Sequence, residues 1–180
     1  MIIVLEGLEG VGKTTLGLAL AEATSSLYVK TPPAEFNPVR GAIAKAENRF
    51  ANFYFYLSSI YTIQKTISPF KLSKDRHAVV DRYIYSTIAY HADGEDFNPP
   101  PFPVGSILSA DLTVHIVCSD ANREARVNNR GHHIFERVNS NEKAILTYFA
   151  RQCDMEHKND VTLEESTKSL AERIITRFTK

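Results

Sequence analysis

The sequence predicts an α/β domain in which helices flank a five-stranded parallel sheet, giving a three-layer sandwich. Three observations lead to this fold class. Segments with strand signals alternate with helical segments along the 180 residues, which is typical of βα units. The strands are mostly continuous apolar runs, as expected when both faces of a parallel sheet are covered. A glycine-rich segment also joins the first strand directly to the first helix, a connection typical of phosphate-binding α/β domains.

The N-terminal half supplies three of the predicted strands and four of the predicted helices. The strands are short apolar runs at residues 2–6, 27–31 and 78–81. Helical periodicity lies between and after them, over residues 13–24, 38–48, 50–68 and 83–92. Proline sets two of the boundaries, because Pro32 and Pro33 follow the second strand and Pro69 is expected to close the long aromatic-rich helix.

The C-terminal half is expected to complete the same sheet. It begins with a proline-rich loop over residues 93–103. The remaining strands are predicted at 112–118 and 161–163, and the remaining helices at 120–130, 141–156 and 167–178. Ser119 or Asp120 is suited to cap the first of these helices. No linker is visible in the composition, so residues 1–180 are expected to form one domain.

Composition excludes several classes of function. The chain has 21 basic and 21 acidic residues, and this balance argues against general binding to nucleic acid or to anionic membranes. No apolar run approaches the ~18 residues of a membrane span, and the N-terminus is predicted to form a strand and loop instead of a signal. The two cysteines, Cys118 and Cys153, are too few for a disulfide framework or a metal motif. We expect a cytoplasmic protein.

The segment after the first strand carries the first functional motif. Gly7, Gly12, Lys13 and Thr14 fit the pattern G-x-x-x-x-G-K-[ST], a loop whose backbone N–H groups surround nucleotide phosphates. Lys13 is expected to neutralise the β- and γ-phosphates, and the Thr14 hydroxyl is a ligand for Mg²⁺. The residues expected to bind the nucleoside triphosphate are Gly7, Leu8, Glu9, Gly10, Val11, Gly12, Lys13, Thr14 and Thr15.

A second motif follows the third predicted strand. Asp81 ends this strand and Arg82 comes next, and both should lie beside the loop because ligands collect at the carboxyl ends of parallel strands. The Asp81 carboxylate can hold Mg²⁺ through water, and Arg82 can neutralise phosphate oxygens. On the residues alone a second interpretation stays open, in which Asp81 caps a helix and Arg82 forms a surface ion pair.

Three motifs together resemble those of the thymidylate kinase family. The matching segments are Glu6 to Thr15, with the family's phosphate-binding loop, Asp81 to Tyr90, with D-R-Y-x-x-S-x-x-A-Y, and Arg126 to Gly131, with the R-x-x-x-R-G of a lid. Phe135 and Glu136 also resemble the exit from this lid, expected at about residues 126–137. The motifs follow the family's order and extend over nearly the whole chain.

The resemblance implies a P-loop NTPase fold, ATP and Mg²⁺ as cofactors, and a homodimer. The implied reaction, in nucleotide biosynthesis, transfers the γ-phosphoryl group of ATP to a pyrimidine nucleoside 5′-monophosphate, with dTMP as the leading acceptor. The catalytic residues it implies are Lys13, Arg82, Arg126 and Arg130, with the lid arginines arriving on closure. The acceptor-binding residues it implies are Glu9, Pro33, Phe55, Arg82, Ser86, Thr87 and Tyr90.

Two positions depart from the family pattern, and both concern the acceptor. Thr31 stands where the family has an arginine that holds the acceptor phosphate, and Arg40 is a nearby basic candidate to replace it. Ser59 stands where the family has an arginine that reads the base. Ser59 and Thr87 could still donate hydrogen bonds to a pyrimidine. The enzyme is therefore expected either to use thymidylate weakly or to serve another pyrimidine nucleotide.

Two other functions remain open on the sequence. A P-loop nucleoside kinase needs a carboxylate base after the second strand, because its acceptor is a neutral hydroxyl, and Glu35 is near that place. That group usually has Glu-Arg-Ser after the third strand, where this chain has Asp81, Arg82 and Tyr83. The other possibility is a nucleotide-binding module that has lost transfer activity.

Overall fold

The sheet contains five parallel strands in the order β2-β3-β1-β4-β5. The computed structural model describes residues 1–71, 73, 75–91, 97–129 and 141–178 of the chain. The strands are β1 (Ile2–Glu6), β2 (Leu27–Lys30), β3 (Ala78–Asp81), β4 (Leu112–Val117) and β5 (Met155–Lys158). The predicted five-stranded parallel sheet is confirmed.

Helices cover both faces of this sheet. They are α1 (Lys13–Ala23), α2 (Asn37–Lys45), α3 (Arg49–Lys71), α4 (Ile84–His91), α5 (Asp120–Asn128), α6 (Glu142–Gln152) and α7 (Leu163–Phe178). Successive strand residues point to opposite faces, so Ile2 and Val4 pack with α3 while Ile3 and Leu5 pack with α1 and α7. The predicted three-layer arrangement is therefore correct. Among the described residues, no helix is long and apolar enough to cross a membrane.

The fifth strand does not lie where the sequence predicts it. Residues 161–163 were predicted to form it, but it lies at Met155–Lys158, and its first two residues fall in the predicted helix 141–156, which ends instead at Gln152. The apolar run instead leads into α7 through a capping box. The Thr162 N–H donates to the Glu165 carboxylate at 3.2 Å, and the Glu165 N–H donates to the Thr162 hydroxyl at 3.3 Å. Only His157 is buried in this edge strand, so it lacks the apolar run of a central strand.

The expected end of α3 was also wrong. Pro69 lies inside the helix, which continues to Lys71. Proline in the last turn removes one helical hydrogen bond, and here the Ser68 hydroxyl donates to the Lys65 carbonyl at 3.4 Å. That carbonyl is the one that a backbone N–H at position 69 would have used, so the loss is partly made good.

Candidate functional site

The loop between β1 and α1 lies at the carboxyl ends of the central strands. Gly7, Gly10 and Gly12 have φ values of 144°, 80° and 90°, a region that glycine enters without steric cost. A Cβ at Gly7 would collide with the carbonyl oxygen of Ile116, and one at Gly12 would lie 2.5 Å from the Asn159 side chain. Conformation and space together therefore require glycine here. Such a loop turns its N–H groups inward as an anion site.

Two cations meet at one carbonyl of this loop. The Lys13 ammonium donates to the Gly7 carbonyl at 2.9 Å and to the Leu8 carbonyl, and an Arg82 N–H donates to the Gly7 carbonyl at 3.1 Å. Lys13 is only 6% exposed. Burial, reinforced by the nearby Arg82 charge, lowers the pKa of Lys13 well below its usual value. A bound anion would relieve this unfavourable environment, because it favours the charged form of both side chains.

A carboxylate and a hydroxyl lie beside the loop with the composition of a magnesium site. The Thr14 hydroxyl donates to Asp81 Oδ2 at 2.6 Å, and the Tyr28 hydroxyl donates to the same oxygen at 3.0 Å. The other oxygen, Oδ1, is buried and accepts no hydrogen bond from the described residues. Burial opposes the ionisation of Asp81, but the Lys13 and Arg82 charges outweigh it and hold its pKa below the usual value.

These residues fit Mg²⁺. This ion takes oxygen ligands and is usually held by one or two protein groups together with phosphates and water. Asp81 Oδ1 accepts no hydrogen bond within the described part of the chain and could take such a role, and Thr14 supplies the adjacent hydroxyl. Within the described part of the chain, no group of three or more His, Cys, Asp and Glu side chains could hold a metal ion. A metal at this place would therefore depend on the bound nucleotide.

The buried Glu6 carboxylate holds the residues that follow β3 in place, a role that was not expected from the sequence. Glu6 ends β1 and is fully buried, and it accepts from the Tyr83 N–H at 3.0 Å and from the Ser86 N–H at 3.2 Å. The Ser86 hydroxyl also donates to it and accepts from Arg82 at 3.1 Å. Burial raises the pKa of Glu6. Glu6 thus fixes the start of α4 and, through Ser86, the position of Arg82.

The segment after β2 reaches the same site through Thr31. Thr31 is buried, and its hydroxyl donates to the Arg82 carbonyl at 2.8 Å. Arg82 has a φ of 69°, which is uncommon for a residue other than glycine, so this bond helps to hold a strained turn. Pro33 then precedes a 3₁₀ turn, Ala34–Phe36, in which Glu35 is exposed.

Aromatic residues of α3 form the neighbouring region. The Phe55 ring packs edge-on against Phe36 and Tyr56, with centroids 5.5 and 5.2 Å apart. Ser59 is fully buried and donates to the Tyr56 carbonyl at 2.7 Å. Arg40 is placed against the same tyrosine, because its Nε donates to the Tyr56 hydroxyl at 3.2 Å.

Two more of the expected acceptor residues come from α4. Thr87 is buried, and its hydroxyl donates to the Tyr83 carbonyl at 3.4 Å. The Tyr90 ring lies under the Arg82 guanidinium, 5.3 Å from its carbon to the ring centroid. The structure thus brings Tyr90 to Arg82, while the substrate contacts expected for both α4 residues stay predictions.

The opposite end of the loop adjoins α5 and the segment after β5. Arg126 donates to the Val11 carbonyl at 3.1 Å and to the Asn159 carbonyl at 3.0 Å, and the Asn159 amide donates to the Val11 carbonyl at 2.8 Å. Asn159 was not expected at this place, because the fifth strand, which it follows, was predicted at residues 161–163. Arg123 donates to the Glu9 carbonyl at 2.8 Å and forms a two-pronged ion pair with Glu142.

A cavity of about 300 Å³ opens between these elements. Its lining residues are Gly12, Thr15, Arg126, Asn129, Asn159, Val161 and Leu163. It therefore combines an arginine, two amides and an apolar wall beside the start of α1. Arg130 and most of the predicted lid, from residue 130 to 137, lie outside the described residues.

The chain is similar to one family and to several solved structures. The model of the thymidylate kinase family matches residues 5–174. A probable thymidylate kinase from Picrophilus torridus is 32% identical over 95 residues, which are 52% of this chain and 46% of that protein. The match therefore spans about half the length of that curated relative.

Two solved structures share the fold over nearly the whole length. A thymidylate kinase from Ehrlichia chaffeensis has a TM-score of 0.64 at 20% identity, with 97% of each chain covered. A deoxyadenosine kinase from M. mycoides, solved with bound dCTP, has a TM-score of 0.69 at 13% identity, with 98% of this chain and 100% of that chain covered. At these identities the likeness supports the fold alone.

Proposed function

Because the chain belongs to the thymidylate kinase family, we propose that it is an ATP-dependent kinase acting on a pyrimidine nucleoside 5′-monophosphate, with dTMP as the leading acceptor. One observation carries the proposal. Lys13, Arg82 and the Thr14–Asp81 pair lie around one glycine-rich loop, and each is oriented by a hydrogen bond. This is the set of groups that phosphoryl transfer needs for positioning and for charge neutralisation.

The reaction requires no strong base. An anionic oxygen of the acceptor phosphate attacks the γ-phosphorus of ATP, the bond to the β,γ-bridging oxygen breaks, and ADP leaves with that electron pair. The residues must hold the two phosphates in line and neutralise their charges. Lys13 would exchange its carbonyl partners in the loop for phosphate oxygens, and Arg82 would neutralise the acceptor side. Arg126 and Arg130 are proposed to add charge as the lid closes.

The Thr14 and Asp81 oxygens are proposed to hold Mg²⁺, which would supply charge neutralisation at the β- and γ-phosphates. The unpaired Asp81 oxygen supports this assignment. The cavity beside Gly12 is proposed to take the adenine of ATP. Its apolar wall, Val161 and Leu163, suits the face of a purine ring.

The acceptor base is proposed to lie against Phe55, with Ser59 and Thr87 toward its edge and Tyr90 toward the sugar. Glu9 and Pro33 are proposed to complete this pocket, with Ser86 holding Arg82 in place. The protein is also proposed to work in the cytoplasm as a homodimer. Exposed rings of Phe50 and Tyr54 on α3, 49% and 43% accessible, support a partner on that helix. Light scattering of the purified protein measures the oligomeric state.

The first test is consumption of ATP, with Mg²⁺, against a panel of 5′-monophosphates and nucleosides. We expect turnover with dTMP or another pyrimidine monophosphate and none with nucleosides. Turnover with nucleosides alone would overturn the proposal. ATP binding without transfer to any acceptor would favour a nucleotide-binding module.

A nucleoside kinase is a weaker second candidate. The observation in its favour is the exposed Glu35, which follows β2 where a base for a neutral hydroxyl would be needed. In such an enzyme Glu35→Ala would abolish turnover. In the proposed monophosphate kinase the same substitution leaves kcat within about threefold of the unsubstituted protein, because no base is required.

A further inference from the structure

Lys30 lies at the transfer site without a role in the scheme above. It ends β2 directly opposite Asp81 of β3, and its side chain extends across this neighbour toward α1. The ammonium is 3.3 Å from the Thr14 hydroxyl and 3.9 Å from Asp81 Oδ2. A cation from the strand on the acceptor side therefore reaches the pair of residues that is proposed to hold Mg²⁺ on the donor side.

The contacts of Lys30 are weaker than those of the other cations around the loop. Lys13, Arg82 and Arg126 each donate to a backbone carbonyl of the loop. Among the described residues, the Lys30 ammonium donates to the Thr14 hydroxyl at 3.3 Å and lies 3.9 Å from Asp81 Oδ2, which is beyond hydrogen-bond distance. Its side chain is also 47% exposed. It can therefore leave its present position at small cost.

Neither of the other candidates is arranged to bind the acceptor phosphate from the β2 side. Thr31 carries no charge, and its hydroxyl is committed to the Arg82 carbonyl. Arg40 is held at Tyr56 by a hydrogen bond and by its position over the ring, 5.8 Å from the centroid.

We propose that Lys30 binds the acceptor phosphate at the point of transfer and replaces the arginine that relatives have at position 31. A divalent cation beside Thr14 and Asp81 would repel an ammonium at these distances, so Lys30 would move onto the phosphates once the nucleotide is loaded. Lysine suits this task because its point charge sits on a flexible chain and can follow the phosphate. The inference rests on the proposed monophosphate kinase activity.

The test compares dTMP binding to the full-length protein and its variants by calorimetry, with Mg²⁺ and a non-hydrolysable ATP analogue present. Lys30→Gln should raise the Kd for dTMP about tenfold, because a charge-assisted contact to phosphate is lost. Lys30→Arg should stay within about threefold of the unsubstituted protein. Lys168→Gln, an exposed site on α7, is the matched control and should change nothing. Thermal unfolding of each variant checks the fold.

The outcomes separate this inference from the proposed function. If Lys30→Gln binds dTMP as tightly as the unsubstituted protein does, the inference is overturned while the proposed function stands. It is also overturned if Lys30→Gln weakens binding of the ATP analogue as much as binding of dTMP. The same holds if Arg40→Gln weakens binding of dTMP and Lys30→Gln does not. If the unsubstituted protein binds no 5′-monophosphate of the panel, the proposed function fails and the inference fails with it.

Discussion

The region proposed for the donor phosphates and the region proposed for the acceptor lie on one rim of the sheet, but they are built differently. On the donor side, backbone groups define the site, because the left-handed φ values at Gly10 and Gly12 aim the loop. On the proposed acceptor side, side chains such as Phe55 and Ser59 form the region. A backbone-built site tolerates little change in sequence, whereas a side-chain pocket can change its ligand by single substitutions. Both departures from the family motifs, Thr31 and Ser59, fall on the proposed acceptor side, as this difference would lead us to expect.

The largest effect should come from the donor side. Lys13→Ala should lower kcat about 10³-fold, equivalent to about 4 kcal/mol, because the charge on the transferring phosphate loses its nearest cation. The variant should unfold at the same temperature or higher, since the lysine is buried with a lowered pKa and its removal relieves a desolvation cost. Steady-state kinetics measure kcat, and scanning calorimetry measures the unfolding temperature. A kcat near that of the unsubstituted protein would contradict the role proposed for Lys13 on the donor side. Lys168→Ala is the control.

The Thr14–Asp81 pair, proposed to hold Mg²⁺, should give the next largest effect. Asp81→Asn keeps the shape of the side chain but removes the charge that Mg²⁺ requires. We expect kcat/KM for ATP to fall about 10²-fold and the Mg²⁺ concentration for half-maximal activity to rise. Asp75→Asn, at an exposed position before β3, should leave both unchanged. Unaltered Mg²⁺ dependence in Asp81→Asn would remove this carboxylate from the donor site.

Acid should also destabilise the protein, because the strands that support the proposed donor side bury polar groups. His157 in β5 is buried against Ser166, two residues before Asn159. Burial, together with the Arg173 charge, lowers the pKa of His157 to about 4, against about 6.5 in the unfolded chain. The unfolded state therefore binds more protons between these values. The contribution of the buried, neutral His157 to stability is present above pH ~6.5 and is lost as the pH falls toward ~4.

Denaturant unfolding at several pH values measures this loss. The free energy of unfolding should fall by about 1–2 kcal/mol between pH 7 and pH 5. His157→Gln, which cannot titrate, should flatten the slope over this range. An equal slope in the variant would assign the loss to other groups, among them the buried His115, whose pKa is also lowered by burial.

The sequence could predict the glycine-rich loop but not the side-chain contacts of the proposed acceptor residues, for a physical reason. A loop that requires glycine at positions 7 and 12 gives a recognisable sequence motif. The edge of the sheet at which the loop lies, and the Thr14–Asp81 pair beside it, could therefore be predicted. The fifth strand was misplaced because an edge strand with one buried residue carries little apolar signal. Arg40 was offered as a phosphate ligand by proximity along the chain, and the structure places it against Tyr56. Contacts between side chains on different helices leave no such pattern.

The smallest predicted effect tests whether the acceptor side can be restored by one side chain. Ser59→Arg would put a guanidinium where relatives read the base, and kcat/KM for dTMP should rise about tenfold if the alignment of α3 is right. Ser59 is fully buried, so the free variant should melt at a lower temperature than the unsubstituted protein, with dTMP recovering part of the loss. Ser58→Arg, on the exposed side of the same turn, should change neither quantity. A lower melting temperature without better use of dTMP would mean that position 59 faces the core, and the specificity of the acceptor pocket would then lie in Thr87 and Tyr90.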